Sequence, residues 1–392
     1  MPRVCMITTN HSPFDDRIFY KEAISLKNAG YDVCVVGRTN SMIKEEAHGI
    51  RVVGLKKGEG LKSIPILWKA VADESSKADA SIYHCHEPES FLIALYLMFF
   101  KGKKIIYDVH EYYVDALAEL MHLPIKTFLV FLLNFFILYL IEPFFCQYAS
   151  AIITADEGIA QRYRKFNDNV TSIFNFPVAE LFNQDNYERI KERFGDSFVV
   201  VYVGGLSEER GILDAIKAVH KASMEQPRIK LLLIGSFMSK DFEETCLKYV
   251  KLNELQDNVE FLGYMPHDDV PKYIKASDVG IALFHPTKRF MKTSYPIKLF
   301  EYMICGKPII VSDFPAMKKV VDDARCGIFV DPTDVDDVSR AMVYATGHPD
   351  DLEAMGNRGT EAIKEKYNWR TMEKVLLDVY EKICPIRSLA LE

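Results

Sequence analysis

Residues 293–313 read TSYPIKLFEYMICGKPIIVSD. Ser294 is a candidate helix N-cap, and Pro296 stands in the first turn, where its missing N–H costs nothing. Ile297, Phe300, Met303 and Ile304 then recur at helical spacing. Gly306 stops the helix, Pro308 prevents its continuation, and Ile309 to Val311 reads as a buried strand. A helix feeding an all-apolar strand is half of a β/α repeat, so the stretch predicts an α/β chain. Glu301 falls in the middle of this apolar helix, and a carboxylate there must be paired or aimed at a ligand. Free N–H groups at the helix start suit a phosphate. Phosphate at the start and carboxylate further in would together suit a nucleotide, with the diphosphate on the amides and the ribose hydroxyls on Glu301. On these residues alone, a surface helix with an exposed glutamate is the alternative.

The alternation extends in both directions. Upstream, Phe198 to Val203 is a continuous apolar strand that runs into GGLSEERGI and a helix from Leu213 to Ala222. Gly204 and Gly205 allow close backbone approach to a ligand, and Arg210 adds a fixed fork of donors suited to a diphosphate. Further strands are expected at 229–235, 259–262, 278–283 and 328–330, with helices over 241–252, 335–345, 352–367 and 370–383. The first half repeats the pattern with strands over 3–8, 31–37, 50–55, 80–84, 104–109, 151–154 and 172–175. The polar stretch 181–195 reads as the linker between the halves.

Ligands of open α/β sheets bind at the carboxyl ends of strands. The loop after the first strand therefore offers Asn10, His11, Asp15, Asp16 and Arg17, with a polar, helix-capping turn as the alternative. The strand ending HCHEPES carries His84 and His86, which face opposite sides if the strand continues. With no third ligand near in sequence, no metal site is expected. The strand 104–109 delivers DVHEYY, placing His110 and Glu111 at the sheet rim.

Composition sets the outer bounds. A length of 392 residues suggests two domains, and 49% hydrophobic with 26% charged residues is globular. A net charge of −7 argues against nucleic acid as a partner. The eight cysteines are scattered without a C-x-x-C pair and read as buried thiols of a reducing, cytoplasmic setting. The chain opens directly into a strand, so no signal peptide is expected. Phe128 to Ile141 is apolar all round, and Phe91 to Phe100 is an apolar helix followed by Lys101, Lys103 and Lys104. The 91–104 and 126–146 segments could rest on a membrane surface, or 128–141 could be a core helix.

The stretches VGGLSEERGI, LLLIGS, VEFLGYMPHDDVPKYIKASDVGIA, KLFEYMICGKPIIVSD, CGIFVDPTD and KYNW resemble, in order and spacing, the family 4 glycosyltransferases. The opening FDDRIFYKEAISLKNAGYDV looks like the acceptor side of the bacterial polysaccharide members of that family, the group 1 type. The resemblance implies a GT-B fold with two Rossmann-like β/α/β domains facing across a cleft. It implies an acceptor-side domain over 1–185, a nucleotide-sugar domain over 186–368, and a C-terminal helix over 369–392 that returns toward the first domain. It implies a retaining, metal-independent hexosyl-type transfer from a UDP- or GDP-sugar, which is a co-substrate, to a glycan or lipid-linked acceptor of bacterial surface polysaccharide synthesis. No cofactor is implied. Glu301 would hold the ribose, and Arg210, in place of the family's usual lysine, would contact the diphosphate. Gly204, Gly205, Ser294, Tyr295, Pro296, Ile297 and Lys298 would complete the donor site, with His110, Arg210 and Lys298 serving catalysis. Asn10, His11, Asp15, Asp16, Arg17 and Glu111 would face the acceptor. Two departures stand out: Gly205 replaces a frequent arginine, and Thr293 replaces the glutamate that commonly contacts the sugar. The competing readings are a non-catalytic nucleotide-sugar-binding subunit and a UDP-sugar 2-epimerase on the same fold.

Overall fold

The computed structural model describes residues 1–58, 63–110, 141–182, 187–266, 269–287 and 295–385. They divide into two compact units, Met1–Asn175 with Arg370–Glu392, and Phe176–Trp369.

Unit 1 is built on β1 (Arg3–Ile7), β2 (Asp32–Thr39), β3 (Ile43–Ala47), β4 (Ile50–Lys56), β5 (Ile82–Cys85), β6 (Lys104–Val109), β7 (Ala151–Thr154) and β8 (Val170–Ser172). They form one sheet in the order β3-β4-β2-β1-β5-β6-β7-β8. Every pairing is parallel except β3 against β4. Central strands such as β1 and β7 are nearly continuous runs of buried apolar residues, as a sheet covered on both faces requires. The chain walks outward from β1 to β4, then returns to β5 beside β1 and walks the other way. The order therefore reverses between β1 and β5, and a crevice opens at such a switch point. The helix Trp369–Ile383 belongs to this unit: Leu376 and Tyr380 are fully buried, and Lys104 Nζ donates to Ile383 O at 2.6 Å.

Unit 2 carries β9 (Phe198–Val203), β10 (Ile229–Ile234), β11 (Val259–Gly263), β12 (Val279–Ala282), β13 (Ile309–Ser312) and β14 (Gly327–Val330). All are parallel, in the order β11-β10-β9-β12-β13-β14, so the switch point lies between β9 and β12.

Several expectations need correction. The units divide after Asn175, not after 185, because Phe176 packs on Phe300 and Tyr367 at ring-centroid distances of 5.0 and 5.4 Å. Part of the supposed linker is the helix Glu188–Phe194 of unit 2. The strand expected over 172–175 lies earlier, as β8. The polar sequence IKEEA gave no sign of β3, which is an edge strand with only its ends half-buried. The first helix begins as a π-helix over Asp16–Ala23 before tightening into an α-helix over Ile24–Asn28. Glu111, Ser294, Thr293 and all of Phe128–Ile141 except Ile141 lie outside the described residues.

Candidate functional site

The site of unit 2 grows from its switch point. β9 ends at Val203 and turns through Gly204, while β12 beside it ends at Ala282 and runs into Leu283 and Phe284. Gly204 adopts φ 125°, a conformation L side chains rarely take. A Cβ there would stand 3.3 Å from Lys298 Nζ and 3.4 Å from Arg210 Nη1. Two cations thus flank one bare backbone position. Gly235 is forced as well, since a Cβ on it would fall 2.0 Å from Gly204 O.

Lys298 comes from the helix Ile297–Ile304 and is buried, yet its Nζ has no hydrogen-bond partner among the described residues. The ammonium instead lies over the Tyr202 ring at 3.7 Å and near the Phe284 ring at 5.0 Å. Burial, reinforced by the Arg210 charge and opposed by Glu301, holds its pKa well below the lysine range. Tyr202 is fixed by donation from its hydroxyl to Gly205 O at 3.0 Å, and burial pushes that phenol up to about 12. Arg210 Nη1 donates to the same oxygen at 3.3 Å, which aims the guanidinium across the glycine turn. Glu301 is buried on the same helix as Lys298, which excludes the exposed-glutamate reading.

The helix start differs from expectation. Pro296, not Ser294, is the residue before the first turn, and it supplies no side-chain cap. Tyr295 lies against Phe300, ring centroids 6.2 Å apart, and Ile297 is exposed. Sequence reading missed Tyr202 and Phe284, because an aromatic in or after a buried strand looks like ordinary core.

In unit 1 the organising residue at the switch point is Glu87, also missed. It is fully buried, accepts from Thr9 N at 3.0 Å and Asn10 N at 3.4 Å, and receives the Thr8 hydroxyl. It thereby closes the first loop onto the end of β5. Asn10 and His11 sit on this loop, and the His11 ring lies 5.7 Å from that of His110. Asp15, Asp16 and Arg17 each make contacts within unit 1 itself. Asp15 caps the first helix by accepting from Arg17 N and Ile18 N. Asp16 pairs with the buried Lys21 at 2.6 Å. Arg17 is a core residue whose Nε and Nη2 hold Asp108 at 3.0 and 3.1 Å, with Nη1 donating to Ile173 O at 2.7 Å.

His84 and His86 do not face opposite sides. β5 ends at Cys85, so His86 leaves the strand and its ring stacks on His84 at 4.5 Å. His86 Nδ1 lies 3.2 Å from His110 Nε2, which in turn lies 3.1 Å from Asp108 Oδ2. Burial would raise the Asp108 carboxyl, but Arg17 and His110 outweigh it and hold it well below the usual range. Burial and the Asp108 charge push the neighbouring Glu22 well above it. His110 thus stands, only 11% exposed, against a buried cluster from three elements.

Two largely parallel sheets, each with polar groups gathered at its switch point, have the architecture of the GT-B fold. Residues 183–362 match the family model described as glycosyl transferases group 1. A sucrose-phosphate synthase from Thermosynechococcus elongatus has a TM-score of 0.75 at 18% identity, covering 98% of this chain and 99% of that one. The Anabaena protein HepE, solved with UDP-glucose, has a TM-score of 0.72 at 13% identity, covering 97% and 99%. An uncharacterized glycosyltransferase of Methanocaldococcus jannaschii is 24% identical over 60% of this chain and 60% of its own length. Mannosylfructose-phosphate synthase of Agrobacterium fabrum is 25% identical over 53% of this chain and 44% of its own. The matched segments thus span roughly half of these curated relatives.

Proposed function

We propose that the protein is a retaining glycosyltransferase that moves a sugar from a UDP- or GDP-sugar to a glycan or lipid-linked acceptor in bacterial surface polysaccharide synthesis. The observation that carries this reading is the buried Lys298 ammonium, without a hydrogen-bond partner among the described residues and standing with Arg210 beside the side-chain-free position of Gly204. An uncompensated buried cation is costly unless an anion completes it, and a diphosphate fits between two donors of this spacing. Glu301 is assigned to the ribose and His110 to the sugar and its leaving phosphate.

In the proposed step the acceptor hydroxyl oxygen bonds to the anomeric carbon as the bond from that carbon to the diphosphate oxygen breaks. The electron pair leaves with the nucleoside diphosphate, and the hydroxyl proton passes to a phosphate oxygen on the same face. Lys298 and Arg210 stabilise the charge that develops there, so no metal is required at the leaving group.

A membrane-surface acceptor is supported by helix Pro88–Lys101, which exposes Tyr96, Phe99 and Phe100 beside exposed Phe144 and Tyr148. Among the described residues no helix is long and apolar enough to cross a membrane.

Thermal-shift screening of UDP- and GDP-sugars, then turnover with lipid-linked acceptors and NMR of the product, tests the reading. We expect one donor to be bound and consumed with its anomeric configuration kept. Binding without turnover across a broad acceptor panel would establish a binding subunit, and an inverted product would overturn retention.

A further inference from the structure

Glu22, His84, His86 and Asp108 are all fully buried in unit 1, and one ligand atom from each lies within 4.8 Å of the others. His84 Nε2 stands 3.9 Å from Glu22 Oε2 and 3.8 Å from Asp108 Oδ2. His86 Nδ1 stands 4.0 and 3.6 Å from the same two oxygens. These separations are too long for hydrogen bonds. Four of the six edges of this group are thus 3.6–4.0 Å, and all six are within 4.8 Å, a spacing that four ligands of one small metal ion can share. Among the described residues Glu22 Oε2 and His84 Nε2 have no hydrogen-bond partner, so two buried ligand atoms face the cluster unpaired, while His86 Nδ1 and Asp108 Oδ2 also meet His110 Nε2 at 3.2 and 3.1 Å.

Arg17 does not fill it. Its Nε lies beside Glu22 Oε1 at 2.9 Å and donates to Asp108, while its other donors reach Asp108 Oδ1 and Ile173 O. One guanidinium compensates one carboxylate, and Glu22 Oε2 is left facing the two imidazoles. The supporting contacts suit metal ligands. His84 Nδ1 is held by the Tyr380 hydroxyl at 2.9 Å, which leaves Nε2 directed inward, and Arg17 braces Asp108 from behind.

We propose that this cluster binds a divalent transition-metal ion of the zinc class, with Glu22 Oε2, His84 Nε2, His86 Nδ1 and Asp108 Oδ2 as its ligands. Two imidazoles and two carboxylates in a closed, buried group suit zinc held in a structural role. The ion joins the first helix to β5 and β6 and fixes the wall against which His110 rests. The cluster lies within unit 1, and its test reads metal binding rather than sugar transfer.

Tag-free, full-length protein is dialysed against a chelator and titrated with cobalt(II). One equivalent is expected to bind, to give the visible bands of tetrahedral cobalt and to raise the Tm, and zinc is expected to displace it. Glu22→Gln and His84→Gln should weaken binding by more than the roughly tenfold to hundredfold that loss of a supporting partner costs. His48→Ala, at an exposed histidine outside the cluster, should change nothing. Absence of stoichiometric cobalt from the wild-type protein overturns the site. So do bands that persist unchanged in Glu22→Gln, which would mark an adventitious ion only. If His84→Gln does not fold, the wild-type titration and Glu22→Gln decide.

Discussion

Lys298 concentrates the conflict between stability and function in one residue. Its ammonium is buried on two aromatic rings beside a second cation, partly offset by Glu301, and a bound anion would relieve it further. Lys298→Met keeps the length and removes the charge. The ligand-free variant should gain on the order of 1 kcal/mol, read as a higher Tm, because replacing a buried ion by an apolar isostere is commonly neutral to stabilising. Its affinity for the nucleoside diphosphate should nearly vanish in calorimetry. A pH dependence follows from the lowered pKa. Between that value and the ordinary lysine range, the unfolded chain binds a proton that the folded one does not. Stability therefore rises with pH through this window, and Lys298→Met should flatten the rise. Glu301→Gln should fold normally and bind nucleotide about tenfold to a hundredfold more weakly, since a hydrogen bond to a charged group contributes roughly 1.5–3 kcal/mol. Unchanged affinity would remove the ribose assignment. For Arg210, turnover should fall far more than Tm on substitution by Ala, and Arg210→Lys should recover part of it. Parental rates in Arg210→Ala would rule out a phosphate role.

At the level of elements, the helix Pro88–Lys101 is apolar both on its buried face and on a face that leaves Tyr96, Phe99 and Phe100 exposed. Phe91, Ala94 and Leu97 are buried, whereas Phe99 and Phe100 are 55% and 75% exposed. Phe99 also meets Phe145 and Tyr148 edge-on, so the exposed rings form one patch rather than scattered side chains. Lys101 ends the helix and Lys103 and Lys104 follow it, with Lys103 paired to Asp79 and Lys104 donating to Ile383 O; their charges are the ones proposed to meet anionic headgroups. The protein should pellet with anionic vesicles and less so at high salt, and Phe99→Ser with Phe100→Ser should release it at unchanged Tm. Soluble wild-type protein beside such vesicles would exclude the membrane contact.

For the whole molecule, the chain's last helix completes the first unit, not the second. Tyr380 is fully buried with its hydroxyl on His84, and Tyr31 OH reaches Cys384 O at 3.2 Å. Tyr380→Ala should therefore destabilise unit 1 by about 3–5 kcal/mol, the usual cost of emptying a large aromatic site. Nucleotide binding by unit 2 should persist at temperatures where the variant stays folded. Equal loss of both properties would mean that the units do not melt separately.

Much of this was legible in residue order. Apolar runs of four to six residues ending in glycine or polar loops fixed the strands, since period and length are local signals: Lys104–Val109 and Phe198–Val203 match their expected bounds. Gly204, Arg210 and Glu301 were also legible as candidates, because a glycine turn after a strand, a cation in its loop and a carboxylate in an apolar helix are local anomalies, whereas Lys298 entered only through the family resemblance. The partners of those residues were not. The short strand β5 turned His84 and His86 to one side, and distant segments supplied Glu22 and Asp108 to them. Arg17 looked like a loop cation until Asp108, ninety-one positions away, claimed its guanidinium. The sequence determined which chemical groups would stand at the carboxyl ends of strands, because periodicity places them there. Only the tertiary structure decided which of them meet, because burial and pairing depend on chain segments that no local spacing relates.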